Sequence, residues 1–200
     1  MAITNASIVT VLNARLRRAE TEAALTEPIF AGLTYISGKG RWRVLRTSAA
    51  TNLVAGNNSI ALPANFRIED RIVLNDGTSD YRPLDKTDYD SVLRARAGSP
   101  GRSQPLSYSK AGSNFELNAA CDKAYTATVY YWRWHPDQAD ILFGDAFREA
   151  VFNAVMYKYC ETKKLLQEAG YYRSVADVEL SNLSNTEEDT LTIKARYKDL

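Results

Sequence analysis

The sequence has little of the chemistry that enzymes and metalloproteins need, since it contains one histidine and two cysteines among 200 residues. A structural zinc site takes four Cys or His ligands, so His135, Cys121 and Cys160 fall short of one. The pattern Gly-x-Ser-x-Gly, which marks the nucleophilic serine of many hydrolases, does not occur. We therefore predict no catalytic residues, no metal ion and no cofactor.

Two cysteines are also too few for a disulfide framework, and we predict that both are reduced, as in a cytoplasm. No apolar run approaches the roughly 18 residues that a membrane span needs. The first residues, Met1 to Asn5, lack the charged and apolar regions of a secretory signal peptide. We expect no association with a membrane.

A strong excess of charge is missing as well, because 25 Lys and Arg residues face 24 Asp and Glu residues. Such a balance does not predict tight, sequence-independent binding to nucleic acid. The charge is nevertheless uneven: residues 1–50 hold seven basic and three acidic residues, whereas residues 161–190 hold three basic and seven acidic ones. These regions could pair within one fold or between neighbouring subunits, and the sequence leaves both open.

Hydrophobic periodicity divides the chain into helical ends and a β-rich middle. Apolar residues recur at three- and four-residue spacing in residues 5–24 and again in residues 137–190, which predicts amphipathic helices. Between them the period changes to two, most clearly in residues 125–134, which predicts strands. The predicted fold class is α+β, with a helical bundle from residues 1–41 and 135–190 and a β-rich insertion at residues 42–134.

Three details of this prediction depend on short local signals. Pro28 fits the first turn of a helix, so a second, shorter helix is predicted to open at residues 26–28. Asn75-Asp76-Gly77 is a turn signal and predicts a hairpin with residues 81–84 as its second arm. Glu187-Glu188-Asp189 opposes the dipole at a helix C-terminus, so the last helix is predicted to end near Asn185.

The last ten residues, 191–200, have a period of two and are predicted to form an extended C-terminal arm. One face of this arm would carry Leu191, Ile193, Ala195 and Tyr197. The other face would carry Thr192, Lys194, Arg196 and Lys198. Such an arm could pair with the sheet edge of a partner, or it could be a frayed tail.

Six arginines are candidates for contact with DNA or with a neighbouring subunit: Arg15, Arg17, Arg18, Arg41, Arg43 and Arg46. Arg41, Arg43 and Arg46 surround Trp42, and basic and aromatic side chains together can bind nucleic acid by charge and stacking. A strand with a solvated basic face explains the same pattern more simply. Five aspartates between residues 76 and 90 could likewise bind a hard cation, but helix caps and turns account for them better.

The most specific phrase in the chain is Leu62-Pro63-Ala64-Asn65-Phe66-Arg67. It resembles the segment that opens the β-insertion of phage head-to-tail adaptor and neck proteins. In that family a Pro-x-x-Tyr-like stretch and a strand ending in aromatic residues follow, and residues 104–108 and 129–132 match them. The likeness covers most of the chain, with one departure: Ala119-Ala120-Cys121-Asp122 replaces the apolar and proline end of the insertion.

The resemblance implies a structural virion protein located in the neck and assembled in the host cytoplasm. It implies a ring of about twelve copies that docks under the portal protein, continues the channel for double-stranded DNA and provides the platform for the next neck or tail protein. DNA would pass through without sequence-specific contacts. The C-terminal arm would reach the portal through Leu191, Ile193, Lys194, Ala195, Arg196, Tyr197 and Lys198.

Alternative functions remain open at this point. A tail tubular protein of short-tailed phages has a similar plan and size. A packaging or regulatory factor that binds nucleic acid would use the six arginines, and its affinity would fall steeply as salt rises. A cysteine hydrolase would have to use Cys121 and His135, although no neighbouring residue in the sequence indicates an activated thiol.

Overall fold

The structure, a computed structural model, describes residues 3–17, 19–137 and 140–196, with side chains described up to Ser184. It confirms a mixed α and β fold. The chain separates into two compact units. The helical unit contains Met1–Leu45 and Trp134–Leu200, and the β unit contains Arg46–Arg133.

Within its described residues the helical unit contains four α-helices, and α4 lies at their centre. The helices are α1 (Asn5–Leu16), α2 (Glu22–Lys39), α4 (Arg148–Thr162) and α5 (Leu166–Arg196). Short 3-10 turns precede the β unit at Arg43–Leu45 and begin α4 at Asp145–Phe147. α4 packs against both α2 and α5. Ten of its fifteen residues are buried, so it is covered on most of its circumference.

The N-terminal helices begin and end at other residues than predicted. The helix predicted over residues 5–24 stops at Leu16, because Arg17 adopts a left-handed conformation with φ 52°. The Asn13 side chain then holds the turn, accepting from the Glu20 amide at 2.8 Å and donating to the Glu20 carbonyl at 2.9 Å. Thr21 caps α2, so Pro28 lies inside that helix rather than in its first turn.

Close packing between α2 and α4 depends on Gly32. A Cβ atom at this position would lie 2.9 Å from the Val155 backbone nitrogen, which is closer than carbon and nitrogen atoms can approach. Around this contact the unit buries a continuous set of apolar side chains that includes Leu25, Ile29 and Leu33. Removing apolar surface from water stabilises a fold by roughly 25 cal/mol per Å², so this burial is the main source of stability of the helical unit.

The β unit consists of two sheets and one helix. The strands are β1 (Arg46–Leu53), β2 (Ser59–Ala61), β3 (Phe66–Asn75), β4 (Asp85–Lys86), β5 (Ser107–Ala111), β6 (Asn114–Leu117) and β7 (Tyr125–Arg133). The first sheet has the order β1-β7-β3, and the second has the order β2-β6-β5-β4. Every pair of neighbouring strands is antiparallel except β4 and β5. The helix is α3 (Tyr89–Gly98). Its N-terminal cap is Asp88, whose carboxylate accepts a hydrogen bond from the Ser91 amide at 2.8 Å.

The central strand β7 shows the alternation that the sequence predicts. Tyr125, Ala127, Val129 and Tyr131 are buried in the core of the β unit, and the residues between them are only half-buried. The predicted hairpin lacks its second strand, because residues 81–84 form none. They contact β3 through two backbone hydrogen bonds, from the Tyr81 amide to the Leu74 carbonyl and from the Leu84 amide to the Ile72 carbonyl, both at 2.9 Å.

The last helix is longer than predicted. α5 continues past Asn185 to Arg196, so the extended conformation predicted for residues 191–196 is wrong; residues 197–200 lie outside the described residues. No Gly or Pro occurs between Tyr171 and Arg196, and each further helical residue adds a backbone hydrogen bond at no new nucleation cost. Among the described residues, no helix is both long and apolar enough to cross a membrane.

Candidate interaction surfaces

The residues predicted to bind the portal lie at the end of α5. Leu191, Ile193, Lys194, Ala195 and Arg196 belong to its last two turns, whereas Tyr197 and Lys198 fall outside the described residues. The helical backbone uses its own hydrogen-bonding groups within the helix. Residues 191–196 therefore cannot pair as a strand with a partner's sheet edge, and the contact of this segment with the portal stays a prediction.

Among the candidate arginines, Arg15 and Arg46 each form an ion pair within their own unit. The Arg15 guanidinium lies 2.8 Å from a Glu149 carboxylate oxygen and donates to Asn153 Oδ1 at 3.0 Å, which joins α1 to α4. The Arg46 guanidinium lies 2.5 Å from Asp70 in the β unit. Each positive charge is partly neutralised by its partner, so both side chains also have a structural role.

Three other candidate arginines, Arg17, Arg41 and Arg43, are exposed in the helical unit. Arg17 ends α1, and Arg41 and Arg43 flank Trp42, whose side chain is 2% exposed. The ring of Trp42 is therefore buried and not available for stacking on a base. Arg18 lies outside the described residues.

The single histidine is a buried structural residue at the entry to the C-terminal helices. His135 is 1% exposed, and its Nε2 atom accepts a hydrogen bond from the Leu142 amide at 3.1 Å. Its ring stacks on Phe143 with 5.5 Å between centroids, and its own amide donates to Ser37 Oγ at 3.2 Å. These contacts join His135 to α2 and to the residues just before α4.

The cysteines are buried as well. Cys121 and Cys160 are both 0% exposed, and neither forms a disulfide. Burial, followed by the neighbouring Asp122 carboxylate, raises the pKa of the Cys121 thiol. A thiol with a raised pKa holds less of the nucleophilic thiolate. Both features are typical of core cysteines and give no support to a cysteine hydrolase.

The aspartates between residues 76 and 90 serve in caps, turns and ion pairs. Asp76 accepts from Lys123 Nζ at 2.5 Å, from the Tyr81 hydroxyl at 2.7 Å and from the amides of Thr78 and Ser79 at 3.0 and 3.1 Å. Within residues 3–17, 19–137 and 140–196, no group of three or more His, Cys, Asp or Glu residues could hold a metal ion. Lys123, then Tyr81 and the two amides, hold the pKa of Asp76 well below its usual range.

The hydrogen bonds and the ion pair of Asp76 make the free energy of unfolding depend on pH. Because its pKa is lower in the folded state than the usual value of about 3.9, the stabilisation is complete above that value and is lost as pH falls through the folded-state pKa. We expect the wild type to lose more free energy of unfolding than Asp76→Asn between about pH 5 and pH 2, measured by urea denaturation. Asp90→Asn, at an exposed position of α3, should follow the wild type; equal losses in all three proteins would contradict the prediction.

Exposed apolar side chains on the helical unit are the surface feature that sequence reasoning missed. Phe30 on α2 is 40% exposed, and Tyr171 and Val178 on α5 are 65% and 60% exposed. On α5, the uncharged residues Gln167, Gly170, Ser174 and Ser181 are exposed on the same side of the helix. The seven-residue spacing of Tyr171 and Val178, off the buried stripe, was a signal for this face.

Comparison with known proteins identifies the family of this chain. A family model described as SU10 adaptor protein matches residues 5–191, which is nearly the whole chain. The chain belongs to this family. SU10 adaptors are a phage head-to-tail adaptor family, so the resemblance predicted from the sequence is confirmed. No curated protein matches the chain.

Membership of the SU10 adaptor family gives the surfaces their context. It implies a structural role at the head-to-tail junction of a virion. It also implies association with portal and tail proteins and with further copies of the same chain. Exposed apolar faces on an SU10 adaptor are therefore expected to be contact surfaces.

Proposed function

We propose that this chain forms a ring of about twelve copies that docks under the portal, continues the DNA channel and presents the platform to which the tail attaches. The observation that carries the proposal is the family match over residues 5–191. The buried His135 and Cys121 agree with a structural role, because neither side chain offers an accessible reactive group.

A closed ring needs two different surfaces on each subunit, because a head-to-tail contact joins one face of a copy to another face of the next. The helical unit offers two such faces. One is the outer side of α2 around Phe30, and the other is the outer side of α5 around Tyr171 and Val178. Arg17, Arg41 and Arg43 are exposed and would face a neighbouring copy or the DNA in the channel, where the phosphate backbone attracts them without regard to sequence.

The copy number of the chain in virions tests this function most directly. Quantitative mass spectrometry of purified virions should give a ratio near one to the portal subunit. A ratio of this size is expected only for a stoichiometric ring in the neck. Absence from virions, together with DNA binding that weakens as salt rises, would instead identify a packaging or regulatory factor. A purified neck complex in which the ring does not touch the portal would identify a tail tubular protein.

Deletion of residues 191–200 should abolish attachment to the portal. Ala169, Ala176 and Leu180 of α5, which are buried in the helical core, precede the deletion, so their packing is kept. We expect heads made with the truncated chain to retain at least about a hundredfold fewer copies, a loss of about 2.7 kcal/mol of binding free energy, measured by mass spectrometry of purified heads.

A charge variant separates the contribution of the charged residues of the C-terminal segment from that of its apolar residues. Replacing Lys194, Arg196 and Lys198 by Gln removes three positive charges and leaves the apolar residues in place. Partial loss of attachment is expected from this variant, because charge at an interface contributes mainly to the association rate. Normal copy numbers with the truncated chain would contradict the role of the segment while leaving the ring itself unaffected.

A further inference from the structure

Within the described part of the β unit, the outer edge of β1 is the one long sheet edge with no strand or backbone hydrogen bond along it. β1 is eight residues long and pairs with β7 along its whole length, from Arg46 opposite Trp132 to Leu53 opposite Tyr125. No second strand and no other backbone hydrogen bond reaches its opposite side within the described residues. Beyond Arg46 it contains no charge, proline or glycine, and Ser48, Ala50, Thr51 and Asn52 are exposed.

The other edges carry the features that prevent strand addition. The opposite edge of the same sheet, β3, has two irregularities in its register and is covered by the Tyr81 and Leu84 amides. In the second sheet, the edge strands β2 and β4 have only three and two residues. Bulges, coverage and short length are the usual means by which sheets avoid pairing with other chains. β1 has none of these, so its edge is available for pairing.

A groove continues from the end of β1 across the end of the sheet. It has a volume of about 360 Å³ and is lined by Asn52, Leu53 and Val54 from β1 and the following residue, together with residues 75–77 and 124–126. Val54 is 62% exposed beside it. The lining carboxylate, Asp76, is paired with Lys123, so the groove has no unbalanced charge. An edge strand with a neighbouring pocket is the arrangement that binds an extended peptide, whose backbone pairs with the edge and whose side chain fills the pocket.

The edges available on a second copy argue for a different protein as the occupant. Pairing between two β1 strands would be two-fold symmetric, which closes a dimer and cannot continue around a ring. The remaining edges of a second copy are short or covered, as described above. α5 is helical up to Arg196, so that part of the C-terminal segment is not an extended strand either.

We propose that β1 accepts, as an additional strand, an extended uncharged segment of the next neck or tail protein, with one apolar side chain of that segment in the groove beside Val54. This inference rests on the proposed adaptor function and assigns the tail-side contact to the β unit. Backbone pairing supplies most of the affinity, and the groove selects the side chain.

Hydrogen exchange in assembled particles tests the proposal. Tailless heads that carry the chain and complete virions are compared by mass spectrometry of peptides that cover residues 46–53. We expect the amides of β1 that point away from β7, which are every second one along the strand, to exchange at least about tenfold more slowly in complete virions. Peptides that cover Asn114–Leu117 serve as the control and should not change, because β6 already has a strand on each side.

A photo-crosslinker on Thr51→Cys identifies the occupant, since the natural cysteines are buried and the new thiol is the reactive one. A crosslink to a neck or tail protein, together with slower exchange, supports the proposal. A crosslink to a second copy of this chain, protection already present in tailless heads, or no protection in virions would overturn it. Each of these outcomes leaves the copy number in heads near that of the portal, so it is distinct from failure of the adaptor function, in which the chain is absent from heads and both proposals fall.

A charge on the edge gives a second, independent readout. Ala50→Lys should lower the joining of purified heads to purified tails by at least about tenfold, because lysines on edge strands oppose pairing. The copy number of the chain in heads should not change. Ser113→Lys adds the same charge at an exposed turn of the β unit and should join tails normally. Normal joining with Ala50→Lys would contradict the proposal.

Discussion

Replacing Trp42 by Ala should lower the free energy of unfolding by about 3–5 kcal/mol. The Trp42 ring is 2% exposed, packs edge-on against Phe147 with centroids 5.1 Å apart, and donates from Nε1 to the Ile36 carbonyl at 2.7 Å. A Cβ atom at Gly40 would lie 2.6 Å from the same ring. Truncation therefore removes a large apolar surface and leaves a cavity between α2 and the start of α4.

Urea denaturation followed by circular dichroism measures this loss, and Trp42→Phe provides the comparison. Phenylalanine keeps most of the apolar ring but cannot donate to the Ile36 carbonyl, so we expect a loss of about 1–2 kcal/mol. If Trp42→Ala costs less than about 1 kcal/mol, the ring is not the main packing element that its burial indicates.

Replacing Gly32 by Leu should lower the free energy of unfolding by about 3 kcal/mol, because the added side chain enters space that Val155 already fills. The nearest Val155 atoms, two of them in the backbone, would lie 2.9–3.0 Å from the new Cβ atom. A backbone atom of a packed helix cannot turn aside as a flexible side chain can, so α2 and α4 must move apart.

Gly170→Leu is the matched control for this substitution. Gly170 is also a helical glycine, but a Cβ atom there would meet nothing within 4 Å. Leucine has the better helix propensity, and the variant should gain about 0.5–1 kcal/mol. Urea denaturation of both variants checks the pair; a similar change in the two proteins would show that helix propensity, and not the distance between helices, controls the effect at Gly32.

Local rules explain which helix boundaries the sequence predicted and which it did not. Asp88 caps α3, which agrees with the expectation that aspartates between residues 76 and 90 serve in helix caps and turns. At the N-terminus, Pro28 favoured a helix start at residues 26–28, but Thr21 caps α2, because threonine is a good cap and a proline can be accommodated inside a helix at a cost. The left-handed Arg17 could not be predicted, because the turn is held by the Asn13 side chain bonding to Glu20.

The C-terminal segment shows how a pattern can mislead when nothing else constrains it. The alternation of Leu191, Ile193 and Ala195 favoured an extended arm, yet α5 continues through these residues. A period of two decides a strand only where one face is buried against a sheet. Where no such partner is present, helix propagation from the preceding residues costs less free energy than a break.

The α+β class, the helical ends around a β-rich middle and the scarcity of reactive side chains could be predicted from the order of residues, because they follow from composition and from periodicity along the chain. The adaptor family was indicated by the resemblance of short segments such as residues 62–67. The folded structure was needed to show that Arg15 and Arg46 are ion-paired, that Tyr171 and Val178 are exposed and that β1 has no strand on its outer side within the β unit. Each of these depends on which residues distant in sequence become neighbours, because burial, pairing and strand order are set by long-range packing and not by the local pattern.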